Sequence, residues 1–209
     1  MPIYRSEDPL PHWCELEHFE FVQVAPGKSH QCPRRAAKEK LVIHQGQCTL
    51  TCRGRSHTAG PGDQFNLTAD DPPFELDQVT EPVKAIRMCG RWGDDVGGSG
   101  IFERLTNVED PVEQGDPTDY EKTVEFDNHF HDCDEYWIVF RGTADIVSEG
   151  KHYTLAHGDC LLTPMGQYHD VKRIIAPLRA VYFETSMMGP KRRGHLWAHT
   201  HGPPHTDRP

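Results

Sequence analysis

An all-β fold present in two copies is what this sequence predicts, and three observations carry the prediction. Short apolar runs recur between turn residues, as in F-V-Q-V before A-P-G, K-L-V-I before Q-G-Q and C-T-L-T-C before R-G-R. Short strands at such regular spacing mark a sandwich or barrel. The chain also resembles itself. At an offset of 96, Glu39-x6-Gly46 falls on Glu135-x6-Gly142, Thr58 on Thr154 and Gly62-Asp63 on Gly158-Asp159. At an offset of 95, P-V-K-A-I from Pro82 overlies P-L-R-A-V from Pro177. Self-similarity at a nearly fixed offset is the mark of a repeated structural unit. The third observation is an asymmetry: of four metal-type donors spaced together in the second copy, only one has a counterpart in the first.

Composition bounds the rest. The 209 residues are 36% hydrophobic and 26% charged, an ordinary globular balance for one large or two small domains. A net charge of −10 disfavours nucleic acid as a partner, because phosphate binding needs clustered Lys and Arg. No run of 18 apolar residues suggests a membrane span, and the first residues lack an export signal, so a cytoplasmic protein is expected. Seven scattered cysteines without a C-x2-C pair fit a reduced compartment.

In order along the chain, residues 1 to about 20 read as an arm that packs through Trp13 and Phe19. Strand patterning then runs to the end of a first domain, 1–93. Arg91 to Gly100, R-W-G-D-D-V-G-G-S-G, reads as a flexible connector that opens a linker and loop over 94–118. The second domain is 119–190, and a tail, 191–209, carries the basic run Lys191, Arg192 and Arg193, expected on a solvated surface, and His199, His201 and His205.

The chemistry sits in the second copy. In N-H-F-H-D-C-D-E-Y-W-I-V-F-R-G, from Asn128 to Gly142, His129, His131 and Glu135 share one parity, so on an extended strand they leave the same face. Two imidazoles and a carboxylate on one face suit a divalent transition metal. Downstream, G-D-C-L-L-T-P-M-G-Q-Y-H ends a short apolar strand and its turn on His169.

The two runs resemble the paired signatures of the cupin superfamily, H-x-H-x3-E-x6-G and G-x5-P-x-G-x2-H, at every one of those positions. Thr123 and Arg173 depart from a glycine and an asparagine frequent beside these motifs. The resemblance implies a jelly-roll barrel with His129, His131, Glu135 and His169 on one metal, and the internal repeat then makes the expected fold two jelly-roll barrels in one chain, a bicupin. The first copy is degenerate: Pro33, Arg35 and Pro73 stand where the histidines would, and only Glu39 remains. It would serve as a structural partner, covering the strand Y-W-I-V-F, which is apolar on both faces.

Such a donor set accepts Fe, Mn, Ni, Cu, Co or Zn without choosing among them. The expected activity is that of a metal-dependent enzyme on a small polar substrate, first an isomerase or epimerase of a sugar or hydroxy acid. The alternatives are a dioxygenase and a non-catalytic binding protein. Glu184, Tyr168 and His152 are the candidate proton-transfer residues, Arg141 and Arg173 candidate anion partners, and Trp137, Phe130 and Met165 candidates for a dry pocket. A homodimer is compatible with the sequence.

Overall fold

A computed structural model describes residues 3–112 and 115–194. The described residues contain strands and turns and no helix. In chain order the strands are β1 (Ile3–Tyr4), β2 (Leu16–Val24), β3 (His30–Cys32), β4 (Lys38–Gln45), β5 (Cys48–Cys52), β6 (Arg55–Ala59) and β7 (Gln64–Leu67). There follow β8 (Phe74–Asp77), β9 (Val83–Gly90), β10 (Val96–Arg104), β11 (Glu135–Ser148), β12 (Lys151–Ala156), β13 (Cys160–Thr163) and β14 (His169–Ser186). The described residues divide between two compact units, one of residues 6–92 and one that joins the residues before 6 to those from 93 on.

In the 6–92 unit, one sheet runs β2-β9-β4-β7 and another β3-β8-β5-β6. Both contribute to one apolar core: Val22, Leu41, Ile43 and Ala85 come from the first, Leu50, Phe74 and Leu76 from the second. Each of these buried Val, Leu, Ile and Phe side chains contributes about 1.5–3 kcal/mol over its exposed state.

The other unit orders its strands β1-β13-β11-β14-β10, with β12 also on β11. Its core holds Trp137, Val139, Ile146, Leu155, Leu161 and Val171. Long β11 and β14 each take the place of two strands of the 6–92 unit, and the registers agree. Glu39 pairs with Leu67 and Glu135 with Thr163. Thr49 lies opposite Thr58 and Asp77, and Asp145 opposite Thr154 and Arg173.

Both glycines of the repeat make the same close approach. A Cβ at Gly142 (φ 86°) would stand 1.9 Å from the carbonyl oxygen of Pro177, and one at Gly46 (φ 76°) 2.4 Å from that of Pro82. Only a residue without Cβ turns the strand there.

The glycine-rich connector expected from Arg91 to Gly100 is strand over its second half. Val96–Arg104 is β10, paired with β14 from Val96 opposite Ser186 to Arg104 opposite Leu178. Its glycines permit crowding rather than flexibility: a Cβ at Gly97 would meet the Glu184 carboxylate at 2.3 Å, and one at Gly100 the Tyr182 ring at 3.0 Å. The N-terminal Ile3–Tyr4 likewise pairs with Leu161 and Cys160 of the second unit.

Candidate metal centre

His129 precedes β11 and is stitched to His169, the first residue of β14, by reciprocal backbone hydrogen bonds of 3.2 and 3.0 Å. The Pro164–Gly166 turn closes over them: Gly166 N–H donates to the His131 carbonyl at 2.8 Å and Met165 N–H to Asp134 Oδ1 at 2.9 Å. Two strand ends are thereby locked with their donors facing inward. One ligand-type atom from each of His129, His131, Glu135 and His169 lies within 4.8 Å of all the others.

Glu135 Oε2 lies 2.7 Å from Nε2 of His169 and 3.1 Å from Nε2 of His131. All three atoms are buried and none makes a well-directed hydrogen bond. Nδ1 of His129 sits 2.6 Å from the Asp127 carbonyl and Nδ1 of His169 3.3 Å from that of Gln167. A carbonyl only accepts, so in both rings Nδ1 carries the proton and Nε2 keeps a lone pair for a cation.

Burial, reinforced by the two neighbouring imidazoles, pushes the His129 pKa down to about 3, so that ring is neutral. Burial opposes ionisation of Glu135, but the facing His131 and His169 outweigh it and hold its carboxyl well below the usual range. Three imidazoles and an ionised carboxylate around orphaned buried atoms are the donor set of a divalent transition metal.

A cavity of about 430 Å³ opens over these donors. Of the three residues expected to move protons, Glu184 alone lines it, with Oε1 3.6 Å from Nδ1 of His131. Burial raises its pKa. Tyr168 immediately precedes β14 and turns away from the cavity. It packs on Phe130 at 5.2 Å and borders a separate cavity with Asp116 and Glu149. His152 is exposed on β12, edge-on to Tyr120 at 5.5 Å. Neither borders the metal cavity.

Among the apolar candidates Trp137 lines the cavity, while Phe130 is packed beneath Arg192, 5.0 Å from its ring centroid, and Met165 is buried in the turn. Of the candidate anion partners, Arg173 is turned to Asp145 at 2.6 Å and Arg141 is exposed outside the cavity.

Sequence reasoning missed Phe102, Phe126 and Tyr182, which with Trp137 form the aromatic wall, and Gly97 and Gly98. Phe102 and Gly97 lay in segments read as connector and loop. The basic run also differs from expectation. Arg192 is buried and forks onto Asp132, with Nε to Oδ2 and Nη2 to Oδ1 both 2.8 Å. Arg193 lines the cavity, and Gly194 N–H donates to Nδ1 of His131 at 2.7 Å. The tail histidines lie outside the described residues.

Comparison with known proteins places the fold. The AraC-like ligand binding domain family matches residues 118–203. The uncharacterized protein y4oW of Sinorhizobium fredii is 36% identical over 203 residues, 97% of this chain and 93% of that one. The chain belongs to the y4oW family, and its fold is that of the cupins. Among solved structures, a mutant form of Bacillus subtilis oxalate decarboxylase OxdC matches with TM-score 0.56 at 13% identity, covering 92% of this chain and 79% of that one. AerE from Microcystis aeruginosa matches with TM-score 0.56 at 12% identity, covering 80% and 86%.

In residues 6–92 of this cupin the position of Glu135 is held by Glu39, and its surroundings are of another kind. Glu39 is buried and its Oε2 accepts from Arg87 at 2.6 and 3.0 Å. Arg34 approaches its other oxygen at 3.1 Å, and Arg35 N–H donates to it at 2.6 Å. Guanidinium groups satisfy the carboxylate there.

Proposed function

We propose that this chain is a two-barrel cupin with one metal site, an enzyme whose divalent ion is held by His129, His131, Glu135 and His169 and which transforms a small oxygen-donor substrate. The observation that carries the metal is the set of buried, unsatisfied atoms, Nε2 of His131 and His169 and Oε2 of Glu135, facing one another at the floor of a cavity. The two-barrel reading is supported by strand registers that repeat at 96 residues and by a likeness to OxdC that spans 92% of the chain.

A bound ion of this kind supplies Lewis acidity or a redox partner for dioxygen. The chain's own residues supply the rest. Glu184, beside His131 and facing the cavity, is the group in position to take or return a proton on the bound substrate. Trp137, Phe126, Phe102 and Tyr182 exclude water from the reacting face.

This wall favours the dioxygenase reading, in which both atoms of dioxygen enter the substrate and the substrate supplies the electrons. A sugar would call for many hydroxyl partners, and apart from the metal donors the wall's polar side chains are Glu184, Tyr182 and Arg193. The isomerase or epimerase reading keeps one support, the position of Glu184.

Elemental analysis of untagged protein, paired with dioxygen consumption across a panel of small carboxylic acids, tests the proposal. Iron, copper, manganese or nickel with consumption that Glu184→Gln depresses supports it. A zinc protein that consumes no dioxygen but epimerises a hydroxy acid rejects the oxygenase reading, and a chain with no metal rejects both.

A further inference from the structure

We infer that the cavity selects a planar aromatic monocarboxylate, with its ring against the aromatic wall and its carboxylate on Arg193. The inference names the substrate class of the site proposed above and rests on that metal reading, because the charge argument needs the ion.

The wall argues for a ring. Trp137 meets Phe102 at 5.0 Å and 58°, and Phe126 at 5.5 Å and 86°, so the three present faces and edges at steep angles to one another. Such a surround matches the quadrupole of an aromatic guest from several sides. On β10, Gly97 and Gly98 carry no side chains, so Glu184 and Tyr182 lie close against the strand and still border the cavity. At about 430 Å³ the space is that of a small-molecule site.

Charge argues for one carboxylate. Glu135 and Glu184 against Arg193 leave the lining with an excess of one negative charge, which a dication turns into an excess of one positive charge. A monoanion then neutralises the site.

Arg193 is held where it can meet that anion. Its neighbours are anchored by the buried Asp132–Arg192 fork, by Met188 N–H to the Asp132 carbonyl at 2.7 Å and by Lys191 to Asp95 at 2.5 Å. Nη2 of Arg193 donates to the Val96 carbonyl at 3.1 Å. Among the described residues its other N–H groups are left for a carboxylate, and a guanidinium binds one through two parallel hydrogen bonds.

The test uses full-length protein loaded with zinc, which is redox-inert, and titrates benzoate, cyclohexanecarboxylate and benzyl alcohol calorimetrically, with metal content measured on the same sample. Benzoate is expected to bind roughly threefold or more tighter than cyclohexanecarboxylate, the scale of one aromatic contact. Arg193→Gln is expected to weaken benzoate about tenfold or more, the scale of a lost charge-assisted pair, while benzyl alcohol and metal content stay unchanged. Arg193→Lys is expected to fall between. Equal binding of the saturated acid, or benzoate affinity indifferent to Arg193→Gln in metal-replete protein, overturns the inference and leaves the metal reading standing. Full metal content in His131→Ala overturns the metal reading instead.

Discussion

Nη2 of Arg87 lies 2.6 Å from Oε2 of Glu39, with both side chains almost wholly buried. In the repeat this carboxylate corresponds to Glu135, so a guanidinium serves the 6–92 unit where the other unit gathers three imidazoles. Removing one partner of a buried pair strands the other charge in a low-dielectric interior, whereas replacing both with apolar groups does not. Arg87→Met and Glu39→Leu are each expected to cost about 3–5 kcal/mol, and the double variant much less than their sum. Urea denaturation of the four proteins checks it; additive losses would show that the pair is not coupled.

The same carboxylate sets a pH dependence. Burial works against ionised Glu39, but the Arg35 backbone N–H and the Arg87 and Arg34 guanidinium groups outweigh it and lower its pKa. A folded pKa below the unfolded one gives stability that is present above the unfolded carboxyl's pKa, about 4.3, and is lost as pH falls through the folded value. Glu39→Gln is therefore expected to be less stable than the natural chain at pH 7, with the gap narrowing as pH drops below about 4. A gap constant between pH 7 and pH 3 would contradict this assignment of the ion pair.

Two glycines of the second unit, Gly150 in the turn between β11 and β12 and Gly142 within β11, separate two kinds of strain. Gly150 has φ 66° with nothing within 4 Å of an added Cβ, and Gly142 has φ 86° with the Pro177 carbonyl at 1.9 Å. Gly150→Ala is expected to cost about 1 kcal/mol, the penalty of a left-handed residue. Gly142→Ala must also displace backbone, and a loss of more than about 3 kcal/mol is expected, read as a fall in melting temperature several times that of Gly150→Ala.

The strands and the candidate donor cluster were legible in the sequence because both are local patterns. Alternation gives a strand; the parity of His129, His131 and Glu135 assumed one extended run, whereas the chain bends at Asp132 and Cys133 before β11, and the three side chains still gather with His169. The repeat was legible because Gly46 and Gly142 serve the same close approach. What could not be read was whatever depends on long-range pairing. Gly97 and Gly100 look like linker until β14 is laid beside them, where Glu184 and Tyr182 fill the space their missing side chains leave. Arg192 looks like surface charge until Asp132, 60 residues earlier, is found facing it. Tyr168 neighbours His169 in the chain but precedes β14 and turns away from the cavity.

The remaining prediction concerns how an ion and the C-terminal segment share one imidazole. Gly194 N–H donates to Nδ1 of His131, so in this arrangement a neutral ring carries its proton on Nε2, the atom that faces Glu135. Coordination through Nε2 requires that proton to move to Nδ1, which then has no lone pair for Gly194. The nearest carboxylate for the new Nδ1–H is Glu184, at 3.6 Å. Metal loading is thus expected to release the Gly194 amide while the Asp132–Arg192 fork keeps the preceding residues in place. Amide exchange followed by NMR should show Gly194 exchanging faster in zinc-loaded than in chelator-treated protein, with Arg192 N–H, which donates to Asp132 Oδ2 at 2.9 Å, unchanged. In Glu184→Gln the side chain can still accept through its amide oxygen but brings no charge, so weaker zinc binding with the same Gly194 response is expected. Slower Gly194 exchange on loading would mean that His131 does not bind through Nε2.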